Sequence, residues 1–293
     1  MNPAKLWSRL LQQEHLNFVL TNCLPRRTVT RLVGRLSKID NPLFARFSIA
    51  VWKLFSDLDL SEASTTDYRS LHECFVRQLK PGARPVDPDP AFLTSPSDGV
   101  VGAHGRIERG VLVQAKDSRY TLSELLGSST LAEQYADGSF ITLRLRSSMY
   151  HRFHAPHDCN IERVTYFHGD VWNVNPPTLK RVSRLFCRNE RAVLLARLQP
   201  CNSIIALVPV GAILVASIRL HFLDTTLHMN YRGPSTQDCN ARLAKGEEMG
   251  WFEHGSTIIV IAPRDFAIVD NLREGDIVQM GRPLMRLAGA NPT

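Results

Sequence analysis

Beyond Leu93 the chain is written as short, β-branched apolar runs separated by Gly, Asp, Asn and Pro, and this punctuation limits what it can fold into. The spacing predicts strands over Gly99–Ile107, Val111–Ala115, Phe140–Leu145, Ile161–Phe167, Ala192–Leu198, Ile204–Val208, Ile213–Ile218, Ile258–Ile261 and Ile277–Met280. Only Leu122–Gln134 reads as a helix between them. Short strands at this density predict an all-β sandwich or barrel. A turn residue before a β-branched pair recurs in Asp98-Gly99-Val100-Val101, Asn160-Ile161, Asp276-Ile277-Val278 and Gly169-Asp170-Val171. These look like hairpins of a barrel-sandwich hybrid, the architecture of lipoyl and biotinyl carriers. No Lys stands at a hairpin tip, which disfavours a swinging-arm carrier.

The first part of the chain is built differently. Lys80–Pro90 holds four prolines, which forbid helix and central strand and mark a boundary. Ahead of it, residues 1–60 carry helical periodicity in Leu6, Leu10 and Leu11, in Leu32, Leu36 and Ile39, and in Phe44, Phe47, Val51 and Leu54. A short helix is expected from Asp67-Tyr68-Arg69-Ser70-Leu71 through Phe75-Val76-Arg77. Residues 1–53 hold nine Lys/Arg against Glu14 and Asp40, so they carry the whole net charge of +7. Basic charge confined to one amphipathic end suggests an anionic membrane surface, not nucleic acid. The expected plan is mainly β (α+β): basic amphipathic helices over 1–60 that associate with a membrane, a helix and Pro-rich connector over 61–92, and a β-rich catalytic domain over 93–293.

No apolar run is long enough for a transmembrane helix, and no signal-peptide core opens the chain. The six cysteines are scattered without a C-x-x-C pair, so reduced thiols are expected.

Three segments carry chemistry. In His254-Gly255-Ser256-Thr257, a residue without Cβ precedes a hydroxyl and an apolar strand, so Ser256 Oγ can approach the Gly255 carbonyl. Alone, Gly-Ser-Thr is an ordinary turn. Tyr150-His151-Arg152-Phe153-His154-Ala155-Pro156 offers two histidines three apart; no third and fourth ligand stands at convincing spacing, so no metal is expected and a general base near a serine is the remaining chemical reading. Ser97-Asp98-Gly99 is a turn signal that matters only if Asp98 orients a histidine in a Ser-His-Asp relay.

In this order the three segments resemble the phosphatidylserine decarboxylase family. The resemblance runs over most of residues 67–287 and includes Arg84-Pro85-Val86-Asp87, Gly169-Asp170-Val171-Trp172-Asn173-Val174-Asn175, Phe186-Cys187-Arg188-Asn189-Glu190-Arg191 and Lys245-Gly246-Glu247-Glu248-Met249-Gly250. It implies self-cleavage between Gly255 and Ser256 into a 1–255 β chain and a 256–293 α chain, which stay together as a heterodimer. Asp98 and His154 would match the acid and base of self-cleavage, and Ser256 its nucleophile. Ser256 would become a covalent pyruvoyl (pyruvate) group that forms a Schiff base with phosphatidylserine, releasing CO2 to give phosphatidylethanolamine. His151 would match the histidine that handles substrate and donates a proton. The resemblance further implies a homo-oligomer on the cytoplasmic face of the inner membrane, held peripherally on anionic lipid.

Two departures stand out. His254 replaces a residue that is often Leu in bacterial relatives, and Lys116-Asp117 replaces a Lys-Gly pair. Two rival readings remain: a serine hydrolase using Asp98, His154 and Ser256 without self-processing, although no G-x-S-x-G elbow is present, and a non-enzymatic barrel-sandwich binding module.

Overall fold

The short runs fold as strands that pair antiparallel throughout. The computed structural model describes Phe18 and residues 25–287, apart from 116–117, 215–216 and 254–255. In chain order the strands are β1 (Phe92–Thr94), β2 (Gly99–Arg106), β3 (Val111–Ala115), β4 (Ser118–Thr121), β5 (Ser139–Leu145), β6 (Arg152–His154), β7 (Cys159–Phe167), β8 (Arg191–Leu198) and β9 (Ile204–Gly211). They continue as β10 (Ser217–Leu220), β11 (Thr225–His228), β12 (Thr236–Leu243), β13 (Glu248–Phe252), β14 (Ser256–Ala262), β15 (Phe266–Ile268), β16 (Ile277–Val278) and β17 (Pro283–Leu287).

An eight-stranded sheet in the order β12-β7-β8-β9-β14-β5-β2-β16 forms the frame. A four-stranded sheet, β11-β10-β13-β6, and a three-stranded sheet, β1-β17-β15, accompany it. The architecture is mainly β, as expected, but the sheets are open and no closed barrel forms among the described residues.

The apolar run of β14 explains the layering. Ile258, Val260 and Ala262 join one core cluster with Phe153, Ile218, Phe252 and Met285. Ile259 and Ile261 join a second cluster with Leu122, Leu125, Leu185 and Phe186. A strand apolar at every position is stable only when both its faces are covered. Here the smaller sheets cover one face and short helices the other.

Three expectations are corrected. Leu122–Gln134 is two short helices, Leu122–Leu126 and Ser129–Glu133, because Gly127 adopts φ +72° and the Ser128 hydroxyl accepts from Leu131 N–H to cap a new start. Strand structure begins at Ser217 and not at Ile213, since Leu214 takes φ +87°, which no extended chain tolerates. Gly169–Val174 forms no hairpin. Asp170 instead bridges in parallel to Asn189, whose side chain accepts from Trp172 N–H and donates to Trp172 O.

At the N-terminal end, helices span Arg26–Ser37 and Pro42–Phe55. Asn41 caps the second, its Oδ1 accepting from the N–H groups of Leu43 and Phe44 at 3.0 Å. The first helix is tied to the core by Arg26, which bonds Asp170 at 2.7 Å, and by Lys38, which bonds the buried Glu253. Ala45 and Ile49 turn the second helix inward, whereas Leu43 and Phe47 are 76% and 67% exposed. Among the described residues no helix is long and apolar enough to cross a membrane.

Candidate active site

Segments distant in sequence are stitched together by backbone bonds. His154 N–H donates to Pro96 O at 2.7 Å, and Thr94 N–H donates to Pro156 O at 3.0 Å. The turn carrying Asp98 therefore lies against the strand carrying His154. On the other side β6 pairs with β13, setting His154 opposite Glu248 and Arg152 opposite Trp251. Gly250 is required in β13, because a Cβ there would meet Arg219 O at 1.8 Å. Phe252 N–H donates to His151 O at 2.9 Å. The chain then runs from β13 to Ser256, the first residue of β14, whose register pairs Ser256 with Leu145 on one side and Gly211 on the other. His254 and Gly255 lie outside the described residues, and of Ser256 the backbone is described.

Asp98 is buried and does not orient a histidine by a direct bond. Its carboxylate accepts two hydrogen bonds from Arg84, at 2.8 and 2.7 Å, and one from Met280 N–H at 2.9 Å. A planar guanidinium matches a carboxylate fork and takes both oxygens. Asp98 therefore acts on His154 only through its charge, which favours the protonated ring.

His154 Nδ1 donates to Gly246 O at 2.9 Å, since a carbonyl can only accept. The neutral ring then offers the Nε2 lone pair, which accepts from Tyr150 Oη at 2.9 Å. Burial holds the His154 pKa below the usual histidine range. Burial likewise raises that of the Tyr150 phenol, so the pair is neutral at physiological pH.

His151 has no exposed surface, and its ring packs 4.0 Å from that of Phe75. Burial lowers its pKa to about 3, so it too is neutral. Its Nδ1 donates to Met149 O at 2.8 Å, while Nε2 is buried without a partner among the described residues. An unpartnered buried acceptor is costly, and such groups mark places where another molecule or segment completes the bonding.

Comparison with known proteins points the same way as this geometry. The family model for phosphatidylserine decarboxylase matches residues 71–286. The chain belongs to the phosphatidylserine decarboxylase family. It is 35% identical to a phosphatidylserine decarboxylase proenzyme of Photobacterium profundum, with 94% of this chain and 97% of the relative covered. A proenzyme of the same name from Brevibacillus brevis is 35% identical over 90% of this chain and 95% of its own length. One from Vibrio parahaemolyticus is 36% identical over 89% and 94%.

Two residues beside the site carried no role in the sequence reading. Arg84 stood in a Pro-rich stretch that reads as a boundary, and only tertiary contact brings it to Asp98. Tyr150 precedes the two histidines in the motif, and its spacing of four from His154 is the one local signal of their bond. Among the described residues no cluster of His, Cys, Asp and Glu is arranged to hold a metal ion. Cys74, Cys159, Cys187, Cys201 and Cys239 are free thiols.

Proposed function

We propose that the chain is a phosphatidylserine decarboxylase that cuts itself between Gly255 and Ser256 and converts Ser256 into a pyruvoyl group. The observation that carries this reading is the sheet connection: β6, which holds His154 and directly follows His151, pairs with β13, and the chain runs on from β13 to Ser256. Ser256 Oγ attacks the Gly255 carbonyl carbon, exchanging an amide for an ester, with neutral His154 as the base for the hydroxyl proton. Loss of the Ser256 Cα proton then expels Gly255 as a carboxylate. Water hydrolyses the resulting dehydroalanine to the ketone and ammonia.

The fold supports such a cut. Residues Ser256–Ile261 pair with β5 on one side and β9 on the other, and β17 pairs with β1 and β15. A severed C-terminal chain would thus be retained by cross-strand bonds and a buried core. The unpartnered Nε2 of His151 fits a site completed by the group made from Ser256 and by substrate.

The pyruvoyl ketone supplies an electron sink for the pair left behind when CO2 departs. His151 enters as an acceptor, because its ring proton is committed to Met149 O. Its Nε2 would accept a hydrogen bond from the substrate ammonium and so orient the amine toward the ketone. We place the enzyme peripherally on the cytoplasmic face of the inner membrane, with the basic helices and their exposed Leu43 and Phe47 in the lipid interface.

Intact-mass measurement tests the reading. Purified wild type should give two chains, the smaller beginning at position 256 with a ketone, and should release CO2 from phosphatidylserine. A single chain with an ordinary serine that still decarboxylates the lipid would refute it.

A further inference from the structure

A cleft of about 600 Å³ separates the helix Arg26–Ser37 from the β10–β11 hairpin. Arg31, Arg35, Lys38, Ser217, His228 and Glu253 are among its walls. Glu253 is buried, but its charge is matched: Lys38 Nζ donates to both its oxygens, at 3.0 and 2.9 Å. Arg31 and Arg35 are exposed, and neither has an ion-pair or hydrogen-bond partner among the described residues. The cleft therefore holds two uncompensated guanidinium groups. His228 adds a donor, because its Nδ1 accepts from Asn230 N–H and leaves the proton of the neutral ring on Nε2.

Position on the helix restricts what such a cleft can take. Arg31 and Arg35 form one row at a spacing of four, and Leu32 and Leu36 form the adjoining row one residue on. The two leucines are 55% and 44% exposed. An anion seated on the arginine row thus has an exposed apolar strip beside it. The other end of the cleft reaches the processing segment, since Glu253 lies two residues before Gly255 and its N–H donates to Ser217 O at 3.1 Å.

We infer that this cleft is a phosphodiester site, in which Arg31 and Arg35 hold the phosphate of a phospholipid headgroup with its acyl chains along Leu32 and Leu36. The inference rests on the function proposed above and specifies how the substrate is held there. Inorganic phosphate shares the anion chemistry but has no use for the leucine row.

The test uses the double variant R31Q/R35Q and short-chain lipids kept monomeric, so that attraction to a charged surface plays no part. On monomeric dihexanoyl-phosphatidylserine, KM should rise about tenfold or more with kcat within about twofold. The matched variant R242Q/R273Q removes two exposed charges outside the cleft and the N-terminal helices and should leave KM unchanged. Direct binding of dihexanoyl-phosphatidylglycerol, a phosphodiester that cannot be decarboxylated, should weaken by the same factor in R31Q/R35Q. Loss of activity on vesicles alone, with both monomer measurements unaltered, would mean that the arginines serve only surface attraction and would overturn the inference. Inorganic phosphate that binds more tightly than dihexanoyl-phosphatidylglycerol would overturn it in favour of a free-phosphate site. If wild type failed to decarboxylate phosphatidylserine, the catalytic reading would fall, yet arginine-dependent binding of the phosphatidylglycerol would still support the cleft.

Discussion

Strand β14 and the helix Pro42–Phe55 are both rich in large apolar residues, yet they meet opposite surroundings. Ile258 through Ala262 are at most 1% exposed, whereas Leu43, Phe47, Leu54 and Phe55 are each at least half exposed. Sheet neighbours on both sides and cores on both faces bury the strand. The helix has one inward stripe, and its remaining apolar side chains face outward in a segment that also carries Arg46 and Lys53. Burial around β14 gives a low-dielectric site that keeps its histidines neutral. The helix keeps its charges solvated and its apolar surface available to another medium. Under the proposed function, chemistry and membrane attraction would fall to regions with opposite solvation.

That contrast can be broken or sharpened experimentally, beginning with the largest effect. Ser256→Ala should leave one uncut chain and lower decarboxylation by ~10³-fold or more, seen by gel and by CO2 release. Vesicle binding should be untouched, and a processed S256A chain would sever the link between β14 and catalysis.

Arg84→Ala should cost ~3–5 kcal/mol of folding stability by stranding the buried Asp98 carboxylate, read by urea unfolding in the uncut S256A background. Removing both partners in R84A/D98A should recover part of that loss. A full-sized loss in the double variant would show that the pair acts through something other than unpaired charge.

The third effect is set by pH. The folded His151 refuses a proton that the unfolded chain accepts below pH ~6.5, so stability should fall as pH drops from there toward 3. His151→Leu should remove up to ~4 kcal/mol of that dependence. His154 and His72 shift in the same direction and remain in both proteins, so the difference isolates His151. Parallel stability–pH curves for the two proteins would contradict a neutral, buried His151.

The smallest effect belongs to the helix. Leu43→Ser with Phe47→Ser should weaken sedimentation with anionic vesicles by ~10- to 100-fold while changing unfolding by less than ~0.5 kcal/mol. Unfolding that collapses with vesicle binding would make the exposed face part of the core after all.

Much of this was legible in the residues themselves. The strands β2, β3, β5, β7 and β8, the proline-rich break and the basic amphipathic pattern follow from local periodicity and backbone chemistry, which act over a few residues. The helix break at Gly127 was hidden because one glycine in an apolar run costs little until φ turns positive. The helices Pro176–Arg181 and Leu185–Arg188 and the strands β1, β4, β6, β11, β12, β13, β15 and β17 were not foreseen, because they are too short or too polar for a periodic signal. At the site, the motif order singled out Asp98, His151, His154 and Ser256, but not how they are bonded.

The sequence alone determined which groups are available: two histidines three residues apart, a hydroxyl at the start of an apolar strand, and cationic charge gathered at one end. Only tertiary structure decided their partners, tying Asp98 to Arg84 and not to His154, and leaving His151 Nε2 unpaired. The reason is physical. Hydrogen-bond partners and desolvation depend on which distant segments pack together, and Arg84 meets Asp98, or Phe252 meets His151, only after the sheets have closed.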